Sequence, residues 1–249
     1  SRVHLIDQRR GCQGIKGYAM VSASLIGFLH RIDQDATLFL NSLSTPMTDQ
    51  LWVLMSDKTV WIPAYALCAW FLFRRLGWKR ALIVLISIGL AFGLCDQFST
   101  IVKHSVDRLR PSYSARMLLG GLNLLEGRGG FFGFFSAHAA NAFALAMCLI
   151  IGFRNDRTHT YNAFYKFALT WAALVAASRI FVGKHYLGDV VVGAIIGLTI
   201  GYFAGMLARY VIQTRIDKVP VTGLTMILDE RRKPITLTKH SPSGSRGNL

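Results

Sequence analysis

The sequence predicts an all-α fold, a helical bundle embedded in a membrane. Its 249 residues are 52% hydrophobic and only 16% charged. The mean hydropathy of +0.38 is high for a water-soluble domain of this length. The apolar residues come in long runs that lack the alternation of barrel strands. Because only helices and closed barrels satisfy their backbone hydrogen bonds in lipid, these runs indicate an integral membrane bundle.

Six helical segments account for the apolar part of the chain. In residues 22–43 the apolar positions have helical spacing but are interrupted by charges such as Arg31 and Asp35. This pattern is typical of an amphipathic helix that lies in the membrane interface. Pro46 is expected to end this helix. About five transmembrane helices follow, at residues 60–73, 81–102, 137–153, 164–182 and 190–208.

One membrane-embedded domain, residues 20–212, is expected between two polar ends. Residues 1–19 precede Met20 without any pattern, and we interpret them as a translated leader or a cloning remnant. A signal peptide is the less favoured interpretation, because no convincing cleavage site follows. Residues 213–249 are polar and basic, so we expect a loosely ordered tail.

The net charge of +15 predicts an orientation rather than a nucleic-acid partner. The cations cluster at the ends of apolar runs, where they anchor topology and meet anionic lipid. Basic segments at 74–80, 154–166 and 209–218 are predicted to share one side, which the positive-inside rule makes cytoplasmic. The C-terminus would then be cytoplasmic. The loop at 103–135 and the loop around His185 would face the exterior or periplasmic side of an inner (plasma) membrane.

The four cysteines do not predict a disulfide framework or a zinc site. Cys68, Cys95 and Cys148 lie inside apolar runs, and Cys12 lies in the leader. No pair has the spacing of a metal site, so packing is the expected role. We expect neither a metal nor a cofactor.

The last predicted span carries a row of small residues. Gly193, Gly197, Gly201 and Gly205 are spaced by four and would form a smooth ridge on which another helix can pack closely. Asp189 stands at the head of the same row. The ridge, and Asp189 with it, is therefore predicted to face the interior of the bundle.

The stretch at residues 178–189 holds a candidate nucleophile. His185 and Asp189 are four residues apart and can share a helix face. The Asp189 carboxylate would then accept the Nδ1 proton and leave Nε2 as a basic nucleophile. Arg179 could hold an oxyanion with its guanidinium group. Alone, this stretch could equally be a helix-end ion pair beside an isolated histidine.

Two further stretches carry groups suited to an anion. Lys103 and Arg110 would place two cations at the outer mouth of the bundle. Ser136 is a plausible N-cap, and the first amides of its helix, including that of Ala137, form an anion site. His138 on the first turn would lie beside the anion. Positive clamps with an in-line nucleophile suit phosphoryl transfer, with His138 protonating the leaving oxygen.

Supporting roles are predicted for two polar residues within the spans. Asp96 lies seven residues before Lys103, and an intramembrane carboxylate is expected to partner a cation at the mouth. Asn141, one turn after His138, either packs or supports the site. Three other residues are expected to stay outside the chemistry: His30 at the interface, and His104 and Lys184 in solvent.

Together, residues 103–111, 136–138 and 178–189 resemble the three signature motifs of the type 2 phosphatidic acid phosphatase and vanadium-dependent haloperoxidase superfamily. The resemblance covers residues 22 to roughly 210. It implies a six-helix core, a phosphohistidine intermediate on His185, His138 as the general acid and no metal. The usual second motif, Pro-Ser-Gly-His, reads Phe-Ser-Ala-His at 135–138, so the shape of the pocket is expected to differ.

The sequence therefore predicts a membrane lipid-phosphate phosphatase that acts on a phosphate monoester or a diphosphate. Undecaprenyl diphosphate is the first candidate, because Arg108, Arg116 and Arg128 are surplus cations that could hold a second phosphate. Phosphatidate, phosphatidylglycerophosphate and lipid A phosphates are the other candidates. A vanadate-dependent haloperoxidase is less favoured because those relatives are soluble, and a lipid binder or transporter because neither nucleophile nor acid is missing. The expected partners are the lipid substrate and membrane lipids, and no oligomeric state is predicted.

Overall fold

The computed structural model describes residues 25–218, and in that part of the chain the fold is all-α, as predicted. The leader with Cys12 and the tail from residue 219 onwards lie outside the described residues. The first helix, α1, covers residues 25–42 of the described part. The other helices are α2 (Pro46–Ser56), α3 (Ile62–Leu76), α4 (Trp78–Val106), α5 (Ala115–Leu119), α6 (Ala137–Phe153), α7 (Asn162–Phe181) and α8 (Leu187–Val211).

Three of these helices are long and apolar enough to cross a membrane. They are α4, α7 and the continuous segment Leu187–Ile216, in which α8 runs into a π-helical turn. Helix α6 has the predicted bounds of the third span but only 17 residues, and α3 has 15. The second predicted span is longer than its apolar run, because α4 continues far enough to carry Lys103 in its last turn.

Helix α2 was not predicted, because Pro46 was interpreted only as the end of the preceding helix. The amide at the first position of a helix has no acceptor within the helix, so proline loses no hydrogen bond there. Its fixed φ also suits the start of a helix. The Thr45 hydroxyl caps α2 by accepting from the amide of Thr48. Trp52 of α2 stacks on Phe181 of α7 with ring centroids 4.0 Å apart. This contact docks α2 on the bundle beside the end of α7.

Helix α1 turns its polar side inward, towards the rest of the protein. Gln34, Thr37 and Asn41 are buried and share one side of the helix. Thr37 Oγ1 accepts from the amide of Leu187 at 2.9 Å, and Asn41 Nδ2 donates to the carbonyl of Ile180 at 3.0 Å. Helix α1 thus satisfies backbone groups of the α7–α8 connection. Its large exposed apolar residues are Leu25, Ile26, Phe28, Leu29, Ile32 and Phe39.

The predicted glycine ridge is confirmed, and its partner is α6. A Cβ added at Gly193 would lie 2.5 Å from the Ser136 carbonyl oxygen, and one at Gly197 only 2.1 Å from that of Ala140. Both distances are too short for any side chain, so α8 and α6 are in backbone contact. Asp189, at the head of the row, has no exposed surface, as predicted.

The three basic segments lie at one end of the bundle, as predicted. Arg75 lies 3.1 Å from Nε2 of His159, which links the end of α3 to the α6–α7 loop. Arg80 forms an ion pair of 2.6 Å with Asp217. The packed part of the chain therefore extends beyond the expected domain boundary at residue 212. The opposite end gathers the α4–α6 and α7–α8 connections.

Candidate active site

The α7–α8 connection forms the floor of the candidate site. The carbonyl of Arg179 accepts the amides of both Lys184 and His185, at 3.0 and 3.1 Å. Gly183, which lies between Arg179 and Lys184 in the chain, has φ +76°, a conformation that glycine adopts without strain. A Cβ at Gly183 would also lie 2.9 Å from the carbonyl oxygen of Asn123. This tight turn fixes the position of His185 relative to Arg179.

The structure brings the His185 imidazole against the Asp189 carboxylate. Nδ1 of His185 lies 3.5 Å from Oδ2 of Asp189, slightly too far for a hydrogen bond. His185 is 3% exposed, and burial lowers its pKa to about 4, although the neighbouring Asp189 acts to raise it. The imidazole is therefore neutral near pH 7. With Nδ1–H turned towards Asp189, Nε2 keeps its lone pair and can attack an electrophile.

Arg108 does not have the role predicted for it, because it binds two carboxylates and positions Asp189. Its Nη1 donates to Oδ1 of Asp189 at 2.7 Å, and its Nη2 donates to Oδ2 of Asp33 at 2.5 Å. The guanidinium lies over the Tyr186 ring, 4.1 Å from its centroid. Asp33 in turn accepts from the amide of Gly188 at 2.8 Å. Helix α1 is thereby linked to Asp189 through Arg108, and no local spacing in the sequence distinguishes this arginine from its neighbours.

Lys103 and Arg110 lie near each other on the α4 side of the site. Arg110 Nε donates to the carbonyl of Phe132 at 3.1 Å, which fixes the direction of its side chain. Arg110 and Lys184 also converge, beside Gly129. A Cβ added at Gly129 would lie 3.2 Å from Nη1 of Arg110 and 3.5 Å from Nζ of Lys184. The charges of Arg110, Asp96 and Asp189 act on the Lys103 ammonium group.

Glu126, which the sequence did not single out, binds the cations on the α7 side. Its Oε2 lies 3.8 Å from Nη1 of Arg179 and 3.5 Å from Nζ of Lys184. The hydroxyl of Ser56, at the end of α2, donates to Oε1 of Glu126 and accepts from Arg179. The expectation that Lys184 is solvated was wrong, because its side chain is only 11% exposed. Burial lowers the pKa of Lys184, and the charge of Glu126 opposes that shift.

Ser136 caps α6, as predicted, and it also joins α6 to α8. Its hydroxyl accepts from the amide of Ala139 at 3.4 Å, and its own amide donates to the carbonyl of Asp189 at 3.0 Å. The amides of Ala137 and His138 are the first two of the helix and precede its first intrahelical bond. They remain suitable donors for an anion, whereas the Ser136 amide is already engaged.

His138 lines a cavity and lies within range of several charged groups. Its ring contacts the backbone of Ser56, and the charges of Arg179, His185 and Lys58 act on it. The cavity, of about 450 Å³, opens between α3, α4, α6, α7 and the segment that joins α2 to α3. The cavity combines polar and aromatic side chains in its lining, among them Asp96, Asn141, Trp61, Tyr65, Phe92 and Trp171.

Asp96 and Asn141 form a polar pair in the wall of this cavity. Asn141 Nδ2 donates to Oδ1 of Asp96 at 2.9 Å. The predicted partner of Asp96 was a cation at the mouth. Its hydrogen-bond partner is Asn141, one helix away, while Lys103 is within range of its charge. Oδ1 of Asn141 is buried without a hydrogen-bond partner in the described part of the protein.

The three surplus arginines of the long loop have partners within the chain. Arg108 bridges two carboxylates, as described above. Arg116 pairs with Asp35 at 2.7 Å, and Arg128 lies 5.8 Å from the centroid of the Tyr113 ring. The argument for a second bound phosphate required these side chains to be spare: Arg108 is not spare, and Arg116 and Arg128 each have one contact at the surface.

Comparison with known proteins identifies relatives over most of the chain. The PAP2 superfamily model matches residues 80–213. The lipid A 4'-phosphatase of Bacteroides thetaiotaomicron is 34% identical over 201 residues, which cover 80% of this chain and 87% of the relative. The lipid A 4'-phosphatase of Porphyromonas gingivalis is 31% identical over 179 residues, covering 71% of this chain and 72% of the relative.

Two solved structures have a similar fold. A PAP2-type phosphatidylglycerolphosphate phosphatase from Bacillus subtilis superposes with a TM-score of 0.56 at 18% identity, covering 75% of this chain and 87% of that one. LpxE of Aquifex aeolicus superposes with a TM-score of 0.50 at 23% identity, covering 68% and 92%. At these identities the comparison concerns the fold alone.

Proposed function

The chain belongs to the PAP2 superfamily and is a membrane lipid phosphatase, and on that premise we propose that it removes a phosphate monoester from the sugar of lipid A. The two curated relatives described above are both lipid A 4'-phosphatases. The haloperoxidase and lipid-binder alternatives are set aside because these relatives are phosphatases. Among the lipid phosphates that the sequence left open, lipid A therefore replaces undecaprenyl diphosphate as the favoured substrate.

One observation carries the proposal: His138 lines the cavity and lies within range of the charges of Arg179 and His185. A phosphate held by Arg110, Arg179 and Lys103 would face His185, and the rest of the substrate would extend past His138 into the cavity. A volume of about 450 Å³ is within the usual range for ligand sites. Aromatic walls with a few hydrogen-bonding groups suit a sugar ring, which has apolar faces and a polar edge.

In the proposed first step, Nε2 of His185 attacks phosphorus and the bond from phosphorus to the sugar oxygen breaks. Asp189 holds Nδ1–H, so the imidazole keeps the correct tautomer as its charge rises. The sugar oxygen takes a proton from the His138 ring and leaves as an alcohol. The cations and the amides of Ala137 and His138 neutralise the equatorial oxygens of the transferring group.

In the second step, water replaces the sugar as the reactant. Neutral His138 accepts a proton from the water, whose oxygen attacks phosphorus while the P–N bond to His185 breaks. Inorganic phosphate leaves, and both histidines return to their starting protonation states. The same two histidines therefore serve both steps, with His138 alternating between acid and base.

The site end of the bundle is proposed to face the periplasm of the inner membrane, with the C-terminus in the cytoplasm. The basic segments gathered at the opposite end support this orientation. In a cysteine-free background, a cysteine replacing Tyr113 should react with an impermeant maleimide added from outside, whereas one replacing Gly77 should not. The reverse labelling would overturn the orientation and leave the chemistry untouched.

The substrate is tested by phosphate release from a panel of lipids in detergent. The panel contains bisphosphorylated lipid A, undecaprenyl diphosphate, phosphatidylglycerophosphate and phosphatidate, and mass spectrometry locates the phosphate that lipid A loses. We expect the 4'-phosphate to be removed fastest and His185→Ala to lose all activity while remaining folded. Preference for a glycerophospholipid or for the diphosphate would overturn the proposed substrate.

A further inference from the structure

Glu126 lies beside Arg179, one of the cations of the proposed phosphate site. Its carboxylate lies within 4 Å of both Arg179 and Lys184. The charge of Arg110 also acts on Lys184. The Arg179 side chain is 7% exposed, so it is held in this place. A buried cation requires a nearby anion, and in this part of the protein Glu126 supplies one.

Arg179 nevertheless keeps a donor that Glu126 does not satisfy. Its Nε is buried and has no hydrogen-bond partner within the described residues. Nη1 donates to the Ser56 hydroxyl, and the 3.8 Å between Nη1 and Oε2 of Glu126 is longer than a hydrogen bond. Buried donors are rarely left unpaired, so the guanidinium is arranged for an acceptor with more oxygens than a carboxylate. A phosphate group is such an acceptor.

The backbone on both sides of Glu126 is held, but its side chain can leave. The amide of Asn123 donates to Asn41 at 2.7 Å, and the Tyr113 hydroxyl donates to the carbonyl of Gly129 at 2.8 Å. The Glu126 side chain is 25% exposed, so rotation about its own bonds can carry the carboxylate into solvent. Its displacement therefore requires no rearrangement of the loop.

We propose that Glu126 is an internal competitor for the phosphate group, holding Arg179 and Lys184 until a substrate phosphate displaces it. This inference rests on the proposed function, in which Arg179 is one of the cations that hold the transferring phosphate. The competitor weakens the binding of substrate phosphate and of the product, inorganic phosphate, alike. By returning to the cations after the reaction, Glu126 helps the product leave.

The variant Glu126→Gln separates charge from shape. Glutamine retains an oxygen that accepts from Ser56 but no longer competes electrostatically for the cations. Because a charge-assisted hydrogen bond changes affinity by about ten- to a hundredfold, we expect inorganic phosphate and vanadate to bind at least about tenfold more tightly. Turnover should become more sensitive to inhibition by the phosphate product.

The matched control is Asp35→Asn, which removes the same charge from the exposed ion pair with Arg116. Binding is measured by the rise in thermal unfolding temperature with inorganic phosphate or vanadate, so the readout does not depend on the lipid substrate. Tighter binding in Glu126→Gln but not in Asp35→Asn supports the competitor. Glu126→Asp keeps the charge and should stay near the wild type.

Unchanged or weaker phosphate binding in Glu126→Gln would overturn the inference, because Glu126 would then organise the cations rather than compete for them. An equal gain in Asp35→Asn would also overturn it, since a general charge effect would suffice. If lipid A proves not to be a substrate while Glu126→Gln still tightens phosphate binding, the proposed substrate fails and the competitor stands.

Discussion

Arg108 donates a hydrogen bond of 2.7 Å to Asp189, a carboxylate with no exposed surface. The two residues are 81 positions apart in the chain. A buried carboxylate is costly unless it is paired, and Arg108 pairs it while leaving Oδ2 directed at His185. Because the same guanidinium binds Asp33 of α1, the position of Asp189 depends on a helix outside the three sequence motifs.

We therefore expect Arg108→Lys to lower kcat about ten- to a hundredfold with little change in KM. Lysine is a single point charge and cannot bridge Asp33 and Asp189 as a guanidinium does. Loss of the bridge would misplace Asp189, and through it His185, without touching the cations that hold phosphate. Steady-state kinetics on the preferred lipid phosphate measures this split.

Arg116→Lys is the matched control, because Arg116 makes a single exposed ion pair. It should leave kcat unchanged, since such pairs contribute little. A rise in KM with unchanged kcat in Arg108→Lys would show instead that Arg108 binds substrate.

Protein stability should depend on the protonation of His185. Burial lowers its pKa to about 4 in the folded state, whereas an unfolded histidine titrates near 6.5. Between about pH 6.5 and about pH 4 this histidine binds a proton in the unfolded chain but not in the folded protein. The contribution of His185 to stability is therefore fully present above this window and is lost as pH falls through it. We expect His185→Gln to flatten the pH dependence of the unfolding temperature there. Parallel curves for the two proteins would mean that His185 titrates normally.

The role of His138 is best tested by changing the leaving group. A sugar alcohol is a poor leaving group and needs a proton, whereas a nitrophenolate leaves without one. Because His138 also acts in the hydrolysis step that both substrates share, the leaving group is followed in the first turnover. We expect His138→Ala to lose about 10²- to 10⁴-fold in the first-turnover release of the lipid alcohol, and much less in the first-turnover release of nitrophenolate from p-nitrophenyl phosphate. Equal first-turnover losses with both substrates would argue that His138 only shapes the pocket.

The contact between α6 and α8 should not tolerate even one methyl group at its centre. A Cβ at Gly197 would lie 2.1 Å from the Ala140 carbonyl oxygen, which belongs to rigid helix backbone. We expect Gly197→Ala to destabilise the protein by about 1–3 kcal/mol or more, measured by thermal unfolding in detergent.

Gly89 on α4 supplies the control for that substitution. A Cβ at Gly89 would meet no atom within 4 Å. Because alanine is the better helix former, Gly89→Ala should be neutral or stabilising by about 0.5–1 kcal/mol. A similar loss of stability for both variants would contradict a specific contact at Gly197.

Helix α1 should depend on its polar side rather than on its apolar residues. Asn41 Nδ2 lies 3.0 Å from the carbonyls of Ile180 and Phe181, which end α7. Asn41→Ala leaves these buried acceptors unpaired, at a cost of about 1–3 kcal/mol. Phe39→Ala removes an exposed ring and should cost far less in detergent. The opposite order, again in thermal unfolding, would show that α1 is held by apolar packing.

Periodicity and spacing in the sequence were sufficient to predict the helices of the core and the glycine ridge. Long apolar runs leave no choice of secondary structure in lipid, and glycines spaced by four must lie on one side of a helix. The N-cap at Ser136 and the interior position of Asp189 follow from the same local rules. Helix α2 could have been predicted from Thr45 and Pro46, which are ordinary start signals.

Tertiary structure alone decided which charges are free and which are paired. Arg108 and Arg116 look alike along the chain, yet Arg108 is bound to Asp189 and Arg116 to an exposed aspartate. Glu126 lies in a loop without periodicity, so no pattern could place it beside Arg179. Local rules determine secondary structure because they act within one or two helical turns. Ion pairs form between residues far apart in sequence, and only the packing of the helices brings those residues together.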